Sequence, residues 1–351
     1  MKDMLISIKD ISKFRQPLMG LAIIGVLVSH WYRFQGIDSG LSYSISSLFC
    51  RLIFTEGFLF LSGFGLYFSF SKNNNLKDFY LRRIFKLWMP FIILSIPVYS
   101  FRLLVDDSYE IRDFFTQLTT IYFWINGNFY GMWYVSLSLA LYLVFPFVYR
   151  FIFQTKTQFV LTTIYFLISL SITCMLLYIL RSILPDYYRI IQIGCSKIPI
   201  FIIGMYYAYL CRDRRNNDRA FLLLTVCIGI IYLIASLFKA DNYWVVTFCG
   251  LVQKLVFIPV VCLVFRIIED KRIFKRMVSL VKYAGTYSLE IYILHLHVYL
   301  ILSVTHNLHN LSAFMVATLS VSVGCFLCQP CHAFISKVLK RINNEKEALN
   351  Y

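Results

Sequence analysis

The sequence predicts an all-α fold, a polytopic membrane helix bundle of about ten transmembrane helices with both termini in the cytoplasm. Three observations carry that prediction. Hydrophobic residues fill 59% of the 351 positions and charged residues only 15%, more apolar surface than a soluble core of this length could hide. Apolar runs of about 18 to 25 residues recur along the chain, the length a helix needs to cross roughly 30 Å of hydrocarbon with its backbone hydrogen bonds satisfied internally. Lys and Arg collect in alternate connections, the signature of short cytoplasmic loops.

Taken in order, the runs place spans at 17–35, 49–70, 84–104, 131–153, 158–180, 197–211, 221–238, 243–266, 284–303 and 311–336. The sixth is short. The stretch from Phe114 to Trp124 reads as a loop or as a re-entrant or interfacial helix, and neither choice changes the parity. The whole chain, 1–351, is expected to be one membrane domain, with a cytoplasmic segment at 1–16 and a cytoplasmic tail at 337–351. The first run lacks a small-residue cleavage site, so it reads as a retained helix rather than a signal peptide, with the mature chain starting near Met1.

The charge pattern alternates. Lys2, Lys9, Lys13 and Arg15 precede the first run; Lys72, Lys77, Arg82, Arg83 and Lys86 follow the second; Arg150 and Lys156 follow the fourth. Arg212, Arg214, Arg215 and Arg219 follow the sixth, a six-residue set from Arg266 to Lys282 follows the eighth, and Lys337, Lys340, Arg341 and Lys346 follow the tenth. Asp106, Asp107, Glu110 and Asp113 make one of the other connections acidic. The net charge of +16 is thus spread over six segments, not gathered in a patch that would grip nucleic acid, which is excluded as a partner. The bilayer is the expected partner, and a cell membrane the expected location.

Most of the ten cysteines lie singly in apolar runs, where a thiol behaves as a small hydrophobe, so no disulfide framework is expected. Cys328, Cys331 and His332 spell a haem-attachment pattern. That chemistry occurs outside the cytoplasmic membrane and the pattern falls at the cytoplasmic end of the last run, so neither haem nor a metal site is expected.

An ionisable side chain in hydrocarbon costs several kcal/mol unless paired or hydrated, which makes each one a candidate for function. His30, Glu56, Lys254, Glu290, His295 and His297 are the set. His30 and Glu56 fall at matching depth in adjacent spans, so an imidazole and a carboxylate could meet, orienting the ring and raising its basicity, or simply joining two helices. Lys254 and Glu290 could neutralise each other as a buried pair that sets helix register. His295 and His297, two residues apart, point in different directions on a helix, so at most one faces a site. Arg82, Arg83 and Lys86 satisfy the charge bias, yet Arg83 and Lys86 share a helix face and would also suit a phosphorylated cytoplasmic ligand.

Several segments together resemble the acyltransferase-3 family, integral membrane enzymes that acylate sugars and other hydroxyl acceptors. They are the apolar run from Gly20 to His30; Glu56 followed by Ser62, Gly63 and Phe64; Arg82, Arg83 and Lys86 before Pro90; Trp133 to Ser136 with Pro146 ending that helix; and Tyr287, Ser288, Tyr292 and His295. Two positions depart from the pattern. Met19 stands where Arg is usual, with Arg15 one turn earlier on the same face, and Lys86 replaces a second Arg, keeping the charge without the bidentate fork.

The resemblance implies a membrane O-acyltransferase that moves an acyl group, acetyl in the simplest case, from acyl-coenzyme A to a hydroxyl of a glycan or lipid-linked sugar. His30 would be the general base, with Glu56 holding the imidazole in the right tautomer. Ser62, Tyr287, Ser288, Tyr292 and His295 are weaker candidates for oxyanion or acceptor contacts, since hydroxyls in membrane helices commonly bond backbone or neighbouring helices. Arg82, Arg83, Lys86 and Arg15 would hold the donor's phosphates. No tightly bound cofactor is implied; the donor is a co-substrate. His30 lies toward the outer side while the donor arrives from the inner side, so either a donor channel or an acyl-histidine intermediate is required. The alternative reading is a transporter or glycan-export component, which would also place charges near the membrane midplane.

Overall fold

A computed structural model describes residues 8–34, 40, 41, 44, 55–127, 132–153, 158–213, 258–305 and 337. Every regular element among them is a helix. The order is α1 (Ile8–Lys13), α2 (Arg15–Phe34), α3 (Thr55–Lys72), α4 (Leu76–Arg83), a π-helical turn (Ile84–Trp88), α5 (Met89–Val105), α6 (Ile111–Leu118) and α7 (Ile121–Asn126). There follow α8 (Trp133–Phe153), α9 (Phe159–Ile183), α10 (Pro185–Cys195), α11 (Ile198–Asp213), α12 (Ile258–Ile268), α13 (Lys275–Thr286) and α14 (Ser288–Val304).

Four helical stretches among the described residues are long and apolar enough to cross a membrane: Leu76–Val105, Trp133–Phe153, Phe159–Ile183 and Pro185–Arg212. A fifth arises if α13 and α14, bent by 75°, count as one broken span. The expected spans at 221–238 and 311–336, and most of 243–266, lie outside the described residues. Where comparison is possible, several boundaries move. The sixth span is not short, because α10 runs into α11 and lengthens it to 28 residues. The third starts at Leu76, carried through the π turn. Pro146 does not end its helix but sits inside α8, which runs on to Phe153. The Phe114 to Trp124 stretch becomes two short helices with Ile111, Phe115, Ile121 and Ile125 exposed.

The chain divides into two compact units. The first comprises 1–72 and 146–288, the second 73–145 and 289–351. In the first unit α3 packs on α11 and α2 on α13. Both contacts depend on glycine. A Cβ on Gly63 would stand 2.1 Å from the Phe201 carbonyl oxygen, and one on Gly204 the same distance from that of Phe60. A Cβ on Gly20 would meet the Val281 carbonyl oxygen at 1.9 Å, and one on Gly285 that of Gln16. In lipid, apolar surface gains little by turning from tails to protein, so close backbone approach at small residues is what draws helices together. At the end bearing α1, Asp10 pairs with Arg266 and Lys13 with Glu269, while Phe14 stacks on Phe265. The most apolar window of α9 is only 22% buried, against 61% for Pro185–Arg212, so α9 is the less enclosed of the two.

In the second unit Phe79 stacks on Phe145 with ring centres 5.3 Å apart, and the Tyr80 hydroxyl donates to the Leu143 carbonyl oxygen at 2.9 Å. Trp88 Nε1 donates to the Leu118 carbonyl oxygen, holding α6 against the π turn. Beyond α5, Asp106 accepts from Arg102 Nε at 2.8 Å and from the Ser108 hydroxyl at 2.6 Å. Those bonds, that of Ser108 foremost, hold its carboxyl below the usual carboxylate range.

Candidate functional site

His30 lies in the last turns of α2, half-buried, and Glu56 in the first turn of α3, also half-buried, both in the first unit. Glu56 has a partner that the sequence reading did not anticipate. Lys197, in the short break between α10 and α11, places Nζ 2.9 Å from Glu56 Oε1, with only 17% and 15% of the two side chains exposed. Lys197 was missed because the sixth span was taken to begin there, which made it look like a loop charge. The longer span puts it well inside an apolar stretch, and an embedded Lys is the signal that could have found it.

Ser62 is half-buried on α3, beside Gly63 and its close approach to α11. Arg15 opens α2 with its guanidinium against the backbone of Gly65, where a Cβ would stand 2.8 Å from Nη2. The α2 to α3 packing therefore engages this arginine one turn from Met19. Tyr287 sits at the 75° bend with its ring 4.8 Å from that of Tyr283, and Ser288 is buried at the start of α14.

The remaining candidates belong to the second unit. The Arg83 guanidinium lies 5.4 Å from the Phe79 ring and 5.8 Å from that of Tyr142. Arg82 Nε and Nη2 are buried with no hydrogen-bond partner among the described residues. Lys86 is exposed within the π turn. A π turn makes i to i+5 bonds, so Arg83 and Lys86 do not keep the α-helical register on which their shared face was predicted.

On α14, Tyr292, Glu290, His295 and His297 are all buried. His295 Nδ1 bonds the Ile291 carbonyl oxygen at 2.8 Å, a bond to its own helix. His297 Nε2 instead shares a hydrogen bond of 2.9 Å with the buried Ser95 hydroxyl of α5, and Tyr99 packs edge-on against the His297 ring at 5.3 Å. Tyr292 lies 5.4 Å from the Tyr134 ring. The two histidines do point apart, as their spacing predicts. Lys254, the suggested partner of Glu290, and the trio Cys328, Cys331 and His332 lie outside the described residues.

The acyltransferase-domain family model Acyl_transf_3 matches residues 18–329, nearly the whole chain. The chain belongs to the acyltransferase-3 family. No curated protein and no solved structure matches it. Membership makes the protein a membrane acyltransferase and favours acyl transfer over the transport alternative. The matched region takes in His30, Glu56, Lys197 and the Arg82 to Lys86 turn together. Within the acyltransferase-3 chain, the close-approach glycines Gly20 and Gly63 belong to the motif segments themselves, so part of what makes those segments recognisable is helix packing.

Proposed function

We propose that this acyltransferase moves an acyl group, acetyl in the simplest case, from acyl-coenzyme A to a hydroxyl of a glycan or lipid-linked sugar at the bacterial cytoplasmic membrane. The observation that carries the reading is the family match over 18–329, which includes the half-buried His30 of α2. A sugar hydroxyl is a weak nucleophile at neutral pH, so a base must remove its proton as it attacks. His30 takes that proton while the hydroxyl oxygen bonds to the thioester carbonyl carbon. The carbon–sulfur bond then breaks, the coenzyme leaves as thiolate, and the imidazolium returns the proton to it. General-base help of this kind contributes about 10²- to 10⁴-fold. Glu56 holds the charge of the imidazolium, and Lys197 restrains the carboxylate. Arg82, whose Nε and Nη2 are buried without a hydrogen-bond partner among the described residues, is assigned to the donor's phosphates.

The test is thiol release from acetyl-coenzyme A by purified protein, with and without glycan acceptors, in the unmodified chain and in His30→Ala. Release that disappears in a folded His30→Ala variant is the expected result. Equal release in both would remove His30 from the chemistry, and no release with any acyl donor would overturn acyl transfer.

A further inference from the structure

Five bases of the first unit follow one another closely with little acid to balance them. Lys271, Arg272, Lys275, Arg276 and Lys282 are all exposed, and among the described residues none of their side chains makes an ion pair. Asp270 is the only carboxylate between Glu269 and Glu290. The charges just before them are used differently: Arg266 pairs with Asp10, and Glu269 with Lys13.

The helix α13 decides what surrounds those bases. Its Val278, Val281 and Gly285 are buried, and Val281 and Gly285 meet Gly20 and Gln16 in the first turns of α2, at the end of the unit that bears α1. Residues of a helix turn by about 100° each. On one side of the buried face Lys275, Ser279, Lys282 and Thr286 therefore form an exposed polar strip. On the other side Met277, Leu280 and Ala284 form an apolar strip, with Met277 47% and Leu280 69% exposed. Arg276 and Tyr283 stand between the two strips, both exposed. Ile273, 81% exposed, adds an apolar group beside Lys271 and Arg272. A packed face, an apolar strip and a polar strip with Arg and Tyr on their border suit a helix lying in the membrane interface. Acyl chains then cover the apolar strip, and the long Arg and Tyr side chains reach headgroup level. The 12 residues of α13 cover about 18 Å, too little to cross the hydrocarbon.

We propose that α13 and the connection before it form a binding surface for anionic phospholipid, whose phosphate the five bases hold and whose acyl chains lie on Met277 and Leu280. Charge-bias alone explains bases in a connection, but not exposed Leu280 and Met277 on the same short helix. A small phosphorylated solute satisfies the bases and leaves the apolar strip bare, whereas a phospholipid matches both. Lipid bound there holds α13 against the first turns of α2, so it stabilises the first unit. The surface uses none of the residues assigned to acyl transfer.

The protein, purified in a neutral detergent, is mixed with phosphatidylglycerol or with phosphatidylcholine of the same acyl chains. Retained lipid is counted by native mass spectrometry, and melting is followed in parallel. Phosphatidylglycerol should be retained at least tenfold better and should raise the melting temperature. A base near an anionic surface is worth about fivefold in affinity, so combining Lys275→Gln, Arg276→Gln and Lys282→Gln should weaken phosphatidylglycerol binding by about a hundredfold and leave phosphatidylcholine unchanged. The charge-matched control combines Lys72→Gln, Lys77→Gln and Arg150→Gln, exposed bases of other connections, and should keep the preference. Should the α13 triple variant fail to fold, Lys275→Gln alone, with its expected fivefold loss, carries the test. Equal retention of the two lipids, an equal loss in the control, or displacement of phosphatidylglycerol by coenzyme A would overturn the proposal. Binding is read without acyl donor or acceptor, so its failure is distinct from a failure of the acyl-transfer assay.

Discussion

Glu56 and Lys197, 141 residues apart, form a mostly buried ion pair at 2.9 Å in the unit that also carries His30. Removing one partner takes its counter-charge from the other, which for buried pairs costs about 3–5 kcal/mol, whereas removing both costs far less. Lys197→Met and Glu56→Gln should each lower the melting temperature in detergent, and the double variant should recover most of the loss. Additive losses would mean that the pair is energetically idle.

The glycine contacts give a second expectation. Gly204→Ala puts a methyl 2.1 Å from the Phe60 carbonyl oxygen, closer than any tolerated contact, so α3 and α11 must separate. Thermal stability should fall for Gly204→Ala and further for Gly204→Leu. Gly40, whose Cβ would meet nothing within 4 Å but whose φ is 95°, is the control in which only backbone strain acts.

Ser95→Ala should destabilise the second unit by about 1–3 kcal/mol, since it strips His297 Nε2 of its bond while Nδ1 already lacks a partner among the described residues. Adding His297→Leu to Ser95→Ala should restore part of the loss. Denaturation monitored in both backgrounds decides it; a double variant worse than the sum would rule out the pairing as the cause.

The two arginines should separate kinetically. Arg82→Ala should raise KM for acetyl-coenzyme A by about tenfold with a smaller change in kcat, the loss of a charge-assisted bond. Arg83→Ala should chiefly lower stability, by roughly 0.5–1 kcal/mol for each aromatic contact it loses. Equal KM effects would return both to the donor site.

Asp106 has its carboxyl pKa depressed in the folded state, so it binds its proton less readily there than in the unfolded chain. Its contribution is therefore present in full above the ordinary carboxylate value, about 3.9, and is lost as pH falls through the lower folded value. Melting measured from pH 7 down to pH 3 should show a drop that Asp106→Asn flattens, and identical profiles would remove Asp106 as the titrating group.

Much of the fold was legible because lipid leaves a chain few options. Runs such as 131–153 and 158–180 recur as α8 and α9 within a few residues. Boundaries slipped where charge or proline was read as an end: Lys197 falls at a break inside one long span, and Pro146 is carried within α8. The site was less legible. Searching for ionisable residues found His30 and Glu56 but not Lys197, because the span boundary was drawn at the residue that meets Glu56.

The sequence by itself determined that the chain is a helical membrane protein and an acyltransferase, since an apolar backbone must satisfy its own hydrogen bonds and since the motif residues lie in recognisable order. Tertiary structure alone decided which distant groups meet: Glu56 with Lys197, Ser95 with His297, and Gly63 and Gly204 across one helix pair. The physical reason is that a helix facing lipid is apolar on every side. Periodicity then cannot mark its inward face, and only packing at small residues and the pairing of rare polar groups do so.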